Sequence, residues 1–178
     1  MAPRLGKGVI GGQKLRSFVA ANQANQTRTV KEIEVGFFDT ARYPPVHTGR
    51  GPRAGKPRQP HPVPLVALWM EFGNRGGASG GGWGGPIPER PFIRQAIAQA
   101  EDVLMPILKR NLDPELLGVD RRTAGLLGAA MQGLIQTSVT KGDFEDLSPV
   151  TVELKTSDKP LIDTGFLRKS VTYRIHMR

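Results

Sequence analysis

Alternation of apolar and polar residues marks two segments near opposite ends of the chain. In residues 29–37, apolar side chains fall at every second position from Ile33 to Phe37, and Glu32 and Glu34 lie on the other side. Residues 171–176 repeat the pattern, beginning with Val171. A period of two is typical of a strand with one buried face. We therefore predict two strands that pair in a small antiparallel sheet.

Apolar residues at helical spacing predict four longer helices. They cover Gln13 to Ala24, Val63 to Phe72, Pro88 to Asn111 and Arg121 to Val139. A proline inside a helix removes a backbone hydrogen bond and clashes with the preceding turn, so we expect Pro106 to kink the third helix.

Two of these helices carry further signals. In residues 63–72, for which a short helix is favoured over a strand, Leu65, Leu68 or Trp69, and Phe72 share a helical face. Glu71 is the single charged residue there, and we interpret it as a rim residue paired with an arginine, with a buried functional carboxylate as the alternative. Gly125, Gly128 and Gly133 weaken the last helix, and they favour close approach of another backbone to it.

The C-terminal stretch combines helix starts with turn residues. Ser148-Pro149 is a helix-entry signal, and it predicts a short helix to Lys155. Asp163 stands where an N-cap belongs, just before a turn that contains Phe166 and Leu167. We therefore predict that Asp163 is a structural cap.

A different interpretation of Asp163 comes from residues 161–165, LIDTG. They resemble the hydrophobic-hydrophobic-Asp-Thr-Gly signature of aspartic proteases, in which this aspartate would be catalytic. Those proteases have a small residue after the glycine, whereas this chain has Phe166, and only thirteen residues follow Gly165. The cap is the favoured interpretation, and the protease is kept as a remote alternative.

Two segments cannot form a core. Residues 41–62 form a basic arm rich in proline and glycine, and residues 73–86 form a loop dominated by glycine. We expect both to be extended and flexible, and to order on contact with a partner. The residues that we expect to contact a partner or DNA are Arg42, Arg50, Arg53, Lys56, Arg58 and Trp83.

Neither segment has the features of a cofactor or metal site. Gly80, Gly82 and Gly85 fit a dinucleotide-binding spacing, but no strand precedes them and prolines follow. His47 and His61 lack carboxylate or cysteine partners at ligand spacing. We therefore expect no cofactor and no metal.

Charge divides the chain unevenly. The net charge is +9, and residues 1–62 contribute +8 of it, with 11 lysines and arginines against three acidic residues. A basic segment of this kind can bind nucleic acid by counterion release, or can dock on an acidic protein. The chain has no cysteine, no signal-peptide pattern and no apolar run long enough to span a membrane.

Together these features predict a single α+β domain over residues 1–178. Its core covers about residues 13–40, 63–72 and 87–176, and the arm and the glycine-rich loop lie outside that core. The domain consists of a small antiparallel sheet packed with several helices, including one long kinked helix, and two extended flexible loops.

Four elements occur in a fixed order along the chain. They are the strand ending near Gly36, the run ending Glu71-Phe72-Gly73, the sequence IPERPFIR at residues 87–94, and LSPVT leading to KPLIDTGFLRKSV at residues 159–171. This order resembles a family of tailed-bacteriophage proteins described as minor tail, tail-completion, neck or virion-morphogenesis proteins. The resemblance spans about residues 13–176, and the arm and the loop depart from it.

The resemblance implies a non-enzymatic structural protein of the virion tail or neck, assembled in the host cytoplasm. It implies a homo-oligomeric ring, with a hexamer favoured, at the head–tail junction. The implied partners are tail terminator or tail tube and head-connector proteins, with possible non-specific contact to packaged DNA. A basic nucleic-acid-binding module is the alternative that the charge distribution keeps open.

Overall fold

The structure is a computed structural model that describes residues 29–43, 61–74, 87–112, 118–147, 159–162 and 165–178. Two strands and five helices lie within these residues. They are β1 (Val30–Gly36), α1 (Val63–Phe72), α2 (Phe92–Ala98), α3 (Ala100–Asn111), α4 (Arg121–Lys141), α5 (Phe166–Lys169) and β2 (Thr172–Met177). This arrangement confirms the α+β class.

The two strands form an antiparallel sheet, as predicted. Ile33 faces Ile175 and Val35 faces Tyr173, so the apolar positions of the two alternating segments lie in register. The register shifts between Val30 and Glu32. The period-two pattern therefore identified both strands and their pairing, because a slip of one residue would turn the apolar side chains of one strand to the opposite face.

Helix α4 lies at the centre of the described fold. It packs against both strands and against α2, α3 and α5. A Cβ atom on Gly128 would lie 2.5 Å from the ring of Tyr173, whereas Gly125 and Gly133 have open space around them. The close approach predicted for these glycines thus occurs at one of the three, and an aromatic ring makes it instead of a backbone.

The core lies between α4, the sheet and the N-terminal ends of α1 and α2. Its largest fully buried side chains are Val63, Phe92, Ile135 and Val171. Phe92 meets Phe37 edge to face, with ring centroids 6.0 Å apart. Aromatic pairs prefer this geometry, and it joins the end of β1 to the start of α2.

Helix α1 is confirmed over the predicted residues, and the helical face that carries Leu65, Leu68 and Phe72 lies away from the core. Leu68 and Phe72 are 52% and 56% exposed, whereas Ala67 and Glu71 are buried. This orientation has two physical reasons. Ala67 is small, so α1 can pack closely on its neighbours, and the Glu71 carboxylate accepts hydrogen bonds from backbone N–H groups of α2.

The helix predicted over residues 88–111 is two helices. It is interrupted at Gln99, whose N–H donates to the Ala96 carbonyl at 3.2 Å in a tightened turn. Pro106 lies inside α3, which continues through it to Asn111. The proline removes one hydrogen bond of this helix without ending it, so the interruption falls seven residues before the predicted position.

Several predictions concern residues outside the described part of the chain. They are the helices over residues 13–24 and 148–155, most of the arm, the tip of the glycine-rich loop and the cap at Asp163. Gly165 occupies the N-cap position of α5, with φ 72°. Among the described helices, none is both long and apolar enough to cross a membrane.

Candidate functional site

The contact between the end of α1 and the start of α2 contains two buried charged side chains, Glu71 and Arg90. We call it the α1–α2 junction and define it as residues 71–74 and 87–94. The Glu71 carboxylate accepts hydrogen bonds from the backbone N–H groups of Ile93 at 2.8 Å and Arg94 at 3.1 Å. Helix α2 follows Pro91, which offers no side-chain cap. Glu71 therefore caps α2 from a neighbouring helix.

Arg94 closes the junction on its outer side. Its Nε donates to the Glu71 carboxylate at 3.0 Å, and its Nη2 donates to the Glu71 carbonyl at 2.7 Å and to Glu89 at 2.9 Å. These bonds raise the pKa of Arg94, with the bond to Glu89 as the largest cause and the bond to Glu71 next. The guanidinium also lies 5.2 Å from the centre of the Phe72 ring. Glu71 is thus paired with an arginine, as the favoured interpretation of the sequence has it, but it is buried and does not lie at a rim.

The glycine-rich loop begins and ends at this junction. Asn74 and Ile87 exchange backbone hydrogen bonds of 2.9 and 2.7 Å. Gly73 has φ 70°, and a Cβ atom there would lie 2.8 Å from the Ile87 carbonyl oxygen. Glycine is required because a side chain would suffer both backbone strain and a clash. Trp83, the predicted contact residue in this loop, lies outside the described residues.

The basic arm is anchored at the other end of α1. Arg42 and Pro62 form an isolated antiparallel bridge, and the Val63 N–H donates to the Ala41 carbonyl at 2.9 Å. Arg42 is exposed beside this bridge. Arg50, Arg53, Lys56 and Arg58 lie outside the described residues, so their contacts stay predictions. The two segments predicted to meet partners are therefore attached to opposite ends of one helix.

The helix between these two anchors presents an apolar surface. Leu65, Leu68 and Phe72 are 36%, 52% and 56% exposed, and they recur at helical spacing along the side of α1 that faces away from the core. Large apolar side chains grouped on one exposed helix face are typical of an interaction surface. We call these three residues the α1 outer face.

Arg90 is a buried cation that sequence reasoning missed. It is 4% exposed, and its Nε has no hydrogen-bond partner in the part of the chain that the structure describes. Its Nη2 lies 3.5 Å from the Glu145 carbonyl oxygen, and its Nη1 lies 4.0 Å from the Met70 sulfur. Burial lowers the pKa of Arg90, against an opposing effect of Glu145. Arg90 thus lies between the last turn of α1 and residues 142–147, which follow α4.

The residues that build the junction could be predicted only in part from the sequence. Glu71 stands out in the sequence, since it is the single charge in an apolar run. Arg94 and Arg90 carried none, because their partners lie 23 and 20 residues away along the chain. Over the described ranges, no group of three or more histidine, aspartate or glutamate side chains is placed to hold a metal ion.

Comparison with protein-family models, with curated proteins and with solved structures gives no match for this chain.

Proposed function

We propose that this protein is a structural subunit of a tailed-bacteriophage virion. In this role it is a tail-completion or neck component at the head–tail junction, and it acts through ring assembly and protein–protein contacts. The observation that carries the proposal is the bond between Glu71 and the start of α2. It joins two elements of the resemblance, Glu71-Phe72-Gly73 and the segment from Pro88 to Phe92, into one polar junction. In this junction Glu71 caps α2.

The placement of the contact segments supports an assembly role. The arm leaves at the start of α1 and the glycine-rich loop leaves at its end, with the α1 outer face between them. Both segments and the face can therefore meet the same neighbouring surface. Repetition around a ring, with a hexamer favoured, would multiply contacts that are weak in one subunit.

The basic arm is proposed to contact protein more than DNA. Five cations and no acidic residue occur between Arg42 and Pro62. Tight gripping of DNA at a head–tail junction would oppose passage of the genome, whereas docking on an acidic ring would not. The alternative of a nucleic-acid-binding module predicts tight binding of the isolated protein to duplex DNA.

The decisive experiment is negative-stain imaging of particles assembled with and without this protein. We expect filled heads and tails that fail to join, or joined particles with an incomplete neck, when it is absent. Particles that join normally to filled heads in its absence would refute the proposal.

A second measurement separates the two functional classes. Binding of the purified protein to duplex DNA is followed as salt is raised, with a variant in which Arg50, Arg53, Lys56 and Arg58 are changed to glutamine. Weak binding that disappears near physiological salt is expected for the structural subunit. Strong binding that depends on these four cations would favour the nucleic-acid-binding module.

A further inference from the structure

The two strands of the sheet differ in how well their outer edges are protected. The outer side of β1 begins beside the segment before α4, where the Val30 N–H donates to the Val119 carbonyl at 2.8 Å and Thr29 and Asp120 form an isolated bridge. β1 also carries the register shift between Val30 and Glu32. Irregularities of this kind hinder the addition of another strand. The outer side of β1 is therefore the protected edge.

The outer side of β2 is an open edge. Within the described ranges, β2 pairs only with β1, and it contains neither a proline nor an inserted residue. Backbone N–H and C=O groups without partners along such an edge are a template for another strand. A sheet of two strands also gains stability when a third strand is added.

The apolar row of β2 keeps accessible surface next to this edge. Tyr173 lies against Gly128 of α4, so the alternate residues Tyr173, Ile175 and Met177 lie on the side of the sheet that faces the helix. None of these three is buried, whereas Val171 just before the strand is 1% exposed. An added strand with apolar side chains at alternate positions would cover the surface that α4 leaves accessible.

The charge around β2 indicates which polar residues such a strand would carry. Residues 165–178 contain four cations and no acidic residue. All four are exposed, and among the described residues none of them forms an ion pair: Arg168, Lys169, Arg174 and Arg178. The acidic residues of the sheet, Glu32 and Glu34, lie on β1, across from the open edge. Opposite charges on adjacent strands attract and like charges repel, so the open edge favours an acidic strand and disfavours the β2 of a second copy.

We propose that the outer edge of β2 binds an extended segment of a partner protein in which apolar residues alternate with acidic ones. The segment adds a third strand to the sheet. Its backbone bonds to β2, its apolar side chains cover Tyr173 and Ile175, and its carboxylates lie near Arg174. A nucleic acid fits this edge less well, because phosphate oxygens only accept hydrogen bonds, whereas a strand edge presents both N–H and C=O groups. The proposal does not depend on the phage assignment.

The first test measures binding of a labelled nine-residue peptide to the full chain by fluorescence anisotropy. The peptide has the sequence of residues 29–37, which include the strand that pairs with β2, and carries Lys31→Glu to remove its one cation. Binding with a Kd of about 10–100 µM that weakens as salt is raised is expected.

Two control peptides separate strand pairing from attraction between charges alone. One carries lysine in place of the three glutamates, and the other has the same composition in an order without alternation. Each control should bind at least about 10-fold more weakly than the first peptide. Equal binding of all three peptides, or no binding of the first, would overturn the proposal.

The second test reverses charge beside β2. Arg168→Glu combined with Lys169→Glu changes two exposed cations just before the strand, and it should weaken binding of the acidic peptide by about 10-fold or more. Lys109→Glu combined with Arg110→Glu is the matched control, since it reverses two exposed cations in the last turn of α3.

The two pairs of cations lie beside different parts of α4. The Gln136 side chain donates to the Arg168 carbonyl, whereas the Thr123 hydroxyl donates to the Asn111 carbonyl at the end of α3. Residues 123 and 136 are separated by about 20 Å at 1.5 Å per residue, which exceeds the Debye length of about 8 Å at physiological ionic strength. Equal weakening by the two double substitutions would therefore overturn the proposal.

Amide hydrogen exchange of the full chain shows where the peptide binds. Slower exchange in residues 172–177 with unchanged exchange in residues 30–36 is expected, because the peptide adds to β2 while β1 stays in place. Faster exchange in residues 30–36 would mean that the peptide replaces β1, and the proposal would be wrong. Slower exchange in residues 172–177 on addition of a single-stranded oligonucleotide, but not of the peptide, would instead assign this edge to nucleic acid.

Discussion

The carboxylate of Glu71 accepts the backbone N–H of Ile93 at 2.8 Å, although the two residues belong to different helices. This bond and the adjacent bond from Arg94 satisfy donors that the start of α2 would otherwise leave without partners. Glu71 is 2% exposed, so water cannot replace the carboxylate readily. Glu71 therefore stabilises the junction by capping α2 and by pairing with Arg94. Together these bonds fix α1 against the start of α2.

Glu71→Ala is expected to destabilise the protein by about 3 kcal/mol, because it leaves buried N–H groups without an acceptor and removes the partner of Arg94. Urea denaturation measures the change. Glu89→Ala is the matched control, since Glu89 bonds to the same arginine but is 60% exposed. Exposed pairs contribute little, so that change should cost under about 1 kcal/mol. Equal costs for the two substitutions would contradict the capping role of Glu71.

Gly128→Ala is expected to destabilise the contact between α4 and β2. The added methyl group would lie 2.5 Å from the Tyr173 ring, and overpacking of this kind costs about 1–3 kcal/mol. Gly133→Ala on the same helix meets nothing within 4 Å, so it should stabilise by about 0.5–1 kcal/mol. Thermal unfolding compares the two. Removing the ring with Tyr173→Val should reduce the destabilisation that Gly128→Ala causes. If the effects of the two substitutions simply add, the ring is not the cause.

The parts of the fold that the sequence predicted are those that depend on local pattern. The alternating residues from Ile33 to Phe37 and from Val171 gave both strands, because a two-residue period is visible within a few positions. Helix α1 was predicted for a similar reason. The side of α1 that faces the core was not predicted, because hydrophobicity alone would place Leu68 and Phe72 in the core. In the structure Glu71 faces inward instead, and it bonds to backbone N–H groups of α2.

The junction depends on contacts between distant residues, which no local pattern contains. Nothing beside Arg90 in the sequence indicates that it would be buried, and its contact with the Glu145 carbonyl spans 55 positions. The break at Gln99 was missed because a proline seven residues later was the stronger local signal for a kink. Glu71 is the exception, since a single charge in an apolar run is a usable sign of a buried partner.

Asp120 is expected to make the stability of α4 depend on pH. Its carboxylate accepts the Thr123 N–H at 2.9 Å as an N-cap, and hydrogen bonds from Thr123 lower its pKa below the ordinary value. A lowered pKa in the folded state means that the stabilisation is fully present above the unfolded pKa of about 4, and is lost as pH falls through the folded pKa.

Two substitutions separate the cap from its charge. Asp120→Ala should cost about 1 kcal/mol at neutral pH and reduce the loss of stability in acid. Asp120→Asn should retain most of the cap, because asparagine is an equally good N-cap, but should lose the acid dependence of this site. Urea denaturation at pH 7 and near pH 3 provides the comparison. An unchanged acid dependence in both variants would mean that Asp120 does not contribute to it.

Arg90 and Arg94 are expected to respond in opposite ways to the same substitution. Arg94→Met removes the counter-ion of the buried Glu71 carboxylate, and it should cost about 2 kcal/mol, since the two backbone donors remain. Arg90→Met replaces a buried cation whose side chain, among the described residues, donates to a carbonyl at 3.5 Å and lies 4.0 Å from a methionine sulfur. Burial already lowers the pKa of Arg90, so the charged form is disfavoured there. An apolar side chain of similar length should therefore leave stability unchanged or raise it by about 1 kcal/mol, as measured by urea denaturation. A loss of stability of more than about 2 kcal/mol would instead mean that the guanidinium has a strong hydrogen-bond partner.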